Sequence, residues 1–168
     1  MKGRSPLPLH NEALGRRLAE MFDGHAWHGP PLLTTLRDLT PAQAAATPIA
    51  GAHPIWALAL HLDTWQRVVV RRLAGDDSPV GEAENFPAVP PPDLAAWSAT
   101  LARLAESDAA IRAAVIAGEP ARLDPGSDRF DERLYRNVLG AISHLAWHAG
   151  QIAILRRAQG LEPTAPEA

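Results

Sequence analysis

The sequence predicts an all-α protein, a four-helix bundle with longer connections after the first and second main helices. Four segments carry apolar residues at spacings of three and four, which is the period of an α-helix with one buried face. Glycine and proline separate these segments, and no convincing strand pattern is found. At 168 residues the chain suits one domain, expected over residues 1–168 with frayed ends at about 1–8 and 162–168.

The first main helix is predicted over residues 9–22. Glycine and two prolines make the corner at residues 25–31 irregular, because both residue types oppose helix continuation. A short helical piece is expected at residues 32–39. Thr40 and Gln43, on either side of a proline at the first helical position, then match a capping box and predict a second short helix.

The second main helix is predicted over residues 53–73, again with a proline in its first turn. Residues 76–92 are rich in proline, glycine and acidic side chains, so we expect a long loop in which Phe86 serves as an apolar plug. The third helix is predicted over residues 93–117 and the fourth over residues 132–159. The helices therefore account for most of the chain.

Composition and charge exclude several classes of function. Sixteen basic residues against nineteen acidic ones give a net charge of −3, and no long cluster of lysine or arginine occurs, so nucleic-acid binding is not expected. There is no cysteine, so a metal would be held by histidine, carboxylate or water. No secretion signal or membrane span is recognised, and we expect a cytoplasmic protein that does not bind membranes.

Two histidines, His144 and His148, lie four residues apart in the predicted fourth helix. This spacing places their rings on one face, roughly 5–6 Å apart at Cβ, where both can reach one divalent metal. His61, in the middle of the second helix, is the best candidate for a third ligand. Three histidines leave positions free for water or substrate, which is typical of a catalytic metal site.

The alternative is a pair of partly buried histidines that bond to each other, to water or to Asp63. The neighbouring Trp56, Trp65 and Trp147 are interpreted as wedges in the core. Both interpretations put the fourth helix against the interior of the protein.

Three further residues are candidates for contacts with a substrate: Gln151, His53 and His28. Gln151 follows His148 by three residues and so lies on the same helical face. His53 would line the mouth of the pocket, or else lie in solvent at the helix start. His28 would reach over the cavity from the corner after the first helix, or else belong to a surface loop.

Residues 51–56 (GAHPIW), 60–62 (LHL) and 144–152 (HLAWHAGQI), together with the corner at 27–30 (WHGP), resemble the DinB-like (YfiT-type) metalloenzyme family. The resemblance covers essentially the whole chain. It implies a four-helix bundle that holds a divalent metal, often zinc or nickel, by histidines at positions 61, 144 and 148. Some relatives are S-transferases or isomerases that use bacillithiol, mycothiol or glutathione, and dimers are common.

The favoured hypothesis is a metal-dependent enzyme with a small-molecule substrate, such as a thiol-dependent S-transferase that acts on small electrophiles as a homodimer. A low-molecular-weight thiol would then be a second cofactor, since the thiolate is the nucleophile. The alternatives are a metal-dependent hydrolase and a non-catalytic, metal-binding stress protein. An open cavity beside the metal would favour an enzyme, whereas a site plugged by tryptophan or Phe86 would favour the non-catalytic protein.

Overall fold

A computed structural model describes residues 10–27 and 29–161 of the chain. Within these residues all regular structure is helical, which confirms the predicted all-α class. The predicted frayed ends and the candidate residue His28 lie outside the described residues. The helices are α1 His10–Phe22, α2 Leu32–Leu36, α3 Pro41–Ala45, α4 Ile55–Leu73, α5 Glu82–Asn85, α6 Leu94–Ala117, α7 Pro120–Leu123 and α8 Glu132–Ala158.

The four long helices, α1, α4, α6 and α8, correspond to the four predicted main helices. Both α6 and α8 pack against α1 and against α4, so the core lies between these elements. Large apolar side chains from all four fill it, among them Leu18, Trp56, Leu104 and Ile152, which are almost completely inaccessible to solvent. The connections after α1 and α4 carry three of the short helices and the connection after α6 carries α7, and this arrangement brings the middle of α4 beside the second half of α8.

Polar side chains fix the starts of three helices. The Thr40 hydroxyl accepts from the backbone N–H of Gln43, whose side chain in turn accepts from the Thr40 N–H, so the predicted capping box is confirmed. Asp93 caps α6 and Asp131 caps α8 in the same manner, with each carboxylate accepting from a backbone N–H of the first turn. These caps set where α6 and α8 begin and, through α8, the register of His144 and His148.

The short segments differ from their predictions. The helix expected at 32–39 ends at Leu36, because buried Arg156 of α8 donates to the carbonyl oxygens of Thr35 and Arg37 and so takes the place of a further helical turn. The predicted loop 76–92 contains the single-turn helix α5, and α7 was not predicted at all. Helices of four residues are too short to give a periodic signal in the sequence.

The outer face of α8 is apolar, contrary to expectation. Trp147 was predicted to be a core wedge and is 68% exposed, whereas Trp56 is fully buried as predicted. The error has a simple cause: Trp147 follows buried Leu145 by two residues, about 200° around the helix, and so faces outward. Leu139 and Ile154 of α8 are exposed as well. The helix is long and apolar enough to cross a membrane by length and composition alone, although its other face is packed against α1 and α4 as in a core helix.

Candidate metal centre

Three histidine side chains from two distant parts of the chain meet between α4 and α8. The Nε2 atom of His144 lies 3.0 Å from Nε2 of His61 and 2.9 Å from Nε2 of His148. One nitrogen from each ring can be chosen so that all three lie within 4.8 Å of one another. The structure therefore brings together the three residues that the sequence indicated as metal ligands.

The packing of the two helices explains this convergence. His144 and His148 are on one face of α8 because four residues nearly complete a helical turn. His61 is on the side of α4 that faces α8, and both His61 and His148 are 6% exposed. The three rings lie nearly perpendicular to one another, at interplanar angles of 72° to 77°, so their edges rather than their faces meet.

Two of the three rings are held in a single tautomer by groups behind them. His61 Nδ1 donates to the backbone carbonyl oxygen of Asn85, 2.8 Å away. His148 Nδ1 donates to the side-chain oxygen of Gln151, 2.6 Å away. Because a neutral imidazole carries one proton, Nε2 of each ring is left with a lone pair directed toward His144. Such a bond behind each ring is typical of metal-binding histidines.

Hydrogen bonds among the three histidines can account for only one of the two short contacts. His144 can place one proton on Nε2 and donate it to one neighbour, so at the other short contact the lone pair of the neighbouring Nε2 faces a nitrogen that offers it no proton. A cation resolves the conflict, since all three nitrogens become donors of electron pairs. Ligands about 2.0–2.1 Å from a tetrahedral zinc ion are roughly 3.4 Å apart, a few tenths of an ångström more than the two separations that involve His144.

The electrostatic setting favours neutral rings. Burial, together with the neighbouring His148 and His61, lowers the pKa of His144 to about 4. Burial likewise lowers the pKa of His148 to about 4, and burial is also the main cause of the lowered pKa of His61. At neutral pH all three imidazoles are therefore uncharged, which is the form that binds a metal.

The alternative in which Asp63 partners the histidines is wrong. Asp63 is buried on another side of α4, where its two carboxylate oxygens accept from Arg67 and Arg103, each at 2.8 Å. The carboxylate thereby links α4 to α6. It is close to His61 in sequence but takes no part in the histidine cluster.

Phe86 covers the cluster from one side without filling it. Its ring is stacked on the ring of His61, with centroids 4.2 Å apart and an angle of 10° between the planes. The lone pair of Nε2 lies in the plane of the imidazole, so a ring stacked on its face leaves the direction toward a metal free. Phe86, which was predicted to plug the site, thus covers only one face of the His61 ring.

The two other candidate residues that the structure describes, Gln151 and His53, differ in how closely they approach the cluster. Gln151 contacts His148 directly, and its first role is to orient that ring. His53 is exposed and stacks on the opposite face of Phe86, with centroids 4.0 Å apart, so Phe86 separates it from His61. His53 and Gln151 also line a cavity of about 280 Å³ between residues 49–58 and the second half of α8.

Asn85 is a functional residue that sequence analysis missed. Its carbonyl oxygen orients His61, while its side-chain oxygen accepts from the indole N–H of Trp65 at 2.8 Å. The bond from Trp65, one turn after His61 on α4, fixes the position of Asn85. A backbone carbonyl leaves no mark on residue type, so the only signal available was the position of Asn85 beside Phe86.

A larger cleft reaches the cluster at His144. It has a volume of about 500 Å³, lies between α4 and α8 and has His144 in its wall. Trp65 and the exposed Trp147 border it. The histidine cluster therefore borders the larger cleft through His144, and the smaller cavity reaches Gln151, which contacts His148.

The described residues form an all-helical fold in which three convergent imidazoles could hold a divalent metal. The family profile described as the DinB superfamily matches residues 27–151, which is well over half of the chain and includes all three histidines. The chain belongs to the DinB superfamily. No curated protein and no solved structure matches it significantly.

Proposed function

We propose that this protein is a divalent-metal-dependent enzyme of the DinB superfamily that transfers a low-molecular-weight thiol to small electrophiles. The observation that carries the proposal is the convergence of three Nε2 atoms, two of them held as lone-pair donors by Asn85 and Gln151. The proposal includes the DinB-type four-helix bundle, formed by the four long helices as one domain over residues 1–168.

The residues present fit zinc or nickel. His61, His144 and His148 would supply three neutral nitrogen ligands, which both metals accept. With three protein ligands, coordination positions remain for an exogenous group. When bound, the ion supplies a positive charge that lowers the pKa of a coordinated thiol. The chain has no cysteine, so the thiol would be a small molecule.

The residues around the cluster suit a reaction between two substrates. Asn85 and Gln151 keep the imidazoles of His61 and His148 in position throughout, and Phe86 keeps water from one face of His61. The cleft reaches the cluster at His144, and the smaller cavity is lined by Gln151, which contacts His148. One can admit the thiol while the other admits the electrophile.

The alternatives are less well supported. A hydrolase needs a base to activate water, and Asp63 is engaged by two arginines, whereas a thiolate attacks without such a base. A non-catalytic metal-binding protein gives no reason for a cleft of about 500 Å³ beside His144. A transferase also suits the cytoplasm, where small thiols are kept reduced.

We also propose a homodimer formed through the outer face of α8. Leu139 and Ile154 are 39% and 55% exposed, and the exposed residues Ser143 and Gly150 lie between them at helical spacing. An exposed stripe of small and apolar residues of this kind is typical of an interface. Ser143 also lines the cleft and Ile154 the smaller cavity, so the interface would border both. Ile154→Glu would place a charge in the stripe, and we expect it to convert a dimer in sedimentation experiments to a monomer. A wild-type protein that sediments as a monomer would contradict the dimer.

The test of the function is thiol transfer by the metal-loaded protein. The wild type and His144→Ala would be assayed with bacillithiol, mycothiol and glutathione against the fluorogenic electrophile monochlorobimane, with His25→Ala as a control outside the cluster. We expect a metal-dependent rate with one thiol in the wild type and in the control, and none in His144→Ala. Equal rates in wild type and His144→Ala, or no transfer with any of the three thiols, would contradict the transferase.

A further inference from the structure

The cleft between α4 and α8 changes from mainly apolar at one end to basic at the other. Near His144 its walls are mainly apolar, formed chiefly by Leu62 and Trp65 from α4 and by Leu145 and Trp147 from α8. Toward the start of α8 the walls carry the guanidinium groups of Arg72 and Arg136. Arg136 precedes His144 by just over two helical turns, about 12 Å along the axis of α8.

The two arginines are available for an anion. Arg72 donates to the side-chain oxygen of Asn137 at 3.0 Å, and its guanidinium lies 5.5 Å from the centre of the Trp65 ring, so it is held at the cleft. Arg136 is exposed at the same end. Within the part of the chain that the structure describes, neither guanidinium forms an ion pair with a carboxylate.

We infer that this cleft binds a small apolar molecule with an anionic group at one end, held at that end by Arg72 and Arg136. The apolar body lies along Leu62, Trp65 and Trp147, and the end opposite the anion reaches His144. The inference rests on the proposed function, for which it names the class of electrophile: an apolar carboxylate or phosphate with its reactive carbon remote from the anion.

The charge and shape of the cleft argue for this occupant over a neutral one. A guanidinium presents several N–H donors in one plane, which match the oxygens of a carboxylate or phosphate. An anion at this end of the cleft would be attracted by both guanidiniums, neither of which has a carboxylate partner among the described residues. A neutral apolar molecule would fill the cleft but would not compensate the positive charges of Arg72 and Arg136.

The test uses the metal-free protein and three probes with the same apolar chain: octanoate, octyl phosphate and octanol. Binding would be followed by tryptophan fluorescence, because Trp65 and Trp147 border the cleft. We expect both anions to bind more tightly than octanol, and their ratio tells which head group the arginines prefer. Equal affinity for octanol and for both anions, or no saturable binding of either anion, would overturn the inference.

The matched variants are Arg136→Gln and Arg133→Gln, which change the net charge equally. Arg133 is three residues earlier on α8, pairs with Asp77 and does not line this cleft. We expect Arg136→Gln to weaken anion binding roughly tenfold and to leave octanol unchanged, and Arg133→Gln to leave both unchanged. Equal losses in the two variants, or no loss in Arg136→Gln, would overturn the inference.

The two proposals fail in different experiments. Because the binding measurements need no metal, a protein that binds the anions through Arg136 but holds no metal would contradict the proposed function alone. A protein that binds metal and transfers thiols but does not distinguish octanoate from octanol would contradict only the assignment of the cleft. Circular dichroism spectra of both arginine variants provide the control for folding.

Discussion

The Nδ1 atom of His148 lies 2.6 Å from the side-chain oxygen of Gln151, less than one turn further along α8. This bond orients the ring and leaves the lone pair of Nε2 directed at His144. Gln151 thus acts on a metal through His148 rather than as a ligand, and this role can be separated from that of the histidines.

Replacement of Gln151 tests the orienting bond. We expect Gln151→Leu to lower zinc affinity by about tenfold to a hundredfold, since His148 loses the acceptor that fixes its tautomer. Gln151→Glu keeps an acceptor oxygen at the same position and should retain most of the affinity. Competition titration with a zinc-binding dye measures both, and unchanged affinity in Gln151→Leu would show that the bond has no role in binding.

Asp63 should matter for stability and not for the metal. Its carboxylate is 1% exposed and accepts from two arginines, one of which reaches across from α6. We expect Asp63→Ala to lower the free energy of unfolding by about 2 kcal/mol, since bonds to charged groups are lost on a buried side chain. The comparison is Asp77→Ala, which removes an exposed ion pair with Arg133 and should cost less than about 1 kcal/mol.

Urea denaturation of Asp63→Ala and Asp77→Ala measures the free energy of unfolding, and zinc titration of the same variants measures the metal affinity. Zinc affinity close to that of the wild type in Asp63→Ala agrees with a structural role. A large loss of zinc affinity in a folded Asp63→Ala protein would instead place the carboxylate in the metal centre.

Asp108 on α6 should make stability depend on pH. Burial raises the pKa of this carboxyl group from 3.8 to about 7. Arg112 opposes the effect but does not cancel it, because its Nε atom lies 2.8 Å from Oδ2 without the geometry of a hydrogen bond. The folded state thus holds its proton to a higher pH than the unfolded state, and the contribution of Asp108 to stability is lost as pH rises from about 4 to about 7.

Thermal melts of metal-free wild type and Asp108→Asn between pH 4 and pH 8 isolate this effect. We expect the wild type to lose stability relative to the variant as pH rises, by at most about 1.4 kcal/mol for each pH unit. The comparison cancels the histidines, which both proteins share. Parallel curves for the two proteins would show that Asp108 is already ionised at the lower pH.

The helical class and the histidine cluster were both predictable from sequence. Four long periodic segments gave α1, α4, α6 and α8, and the capping box at Thr40 gave the start of α3. The i, i+4 spacing of His144 and His148 required one face of one helix. The position of His61 in the middle of another apolar helix made it the third member, although spacing alone could not bring two helices together.

The surroundings of the cluster could not be predicted, because they depend on tertiary contacts. Asn85 acts through its backbone carbonyl, which every residue type possesses. Asp63 seemed near the site because it follows His61 by two residues, yet two positions on a helix are about 200° apart. The exposure of Trp147 was missed for the same angular reason, since residue type was given more weight than its position relative to Leu145.

The metal content of the purified protein tests the central claim most directly. Wild type, His144→Ala and His53→Ala would be loaded with zinc or nickel, freed of excess metal and measured by plasma mass spectrometry. His53→Ala is the control, since Phe86 separates this residue from the cluster. We predict one ion per chain in the wild type and in His53→Ala, and almost none in His144→Ala. Equal metal content in folded wild type and His144→Ala would contradict the three-histidine centre.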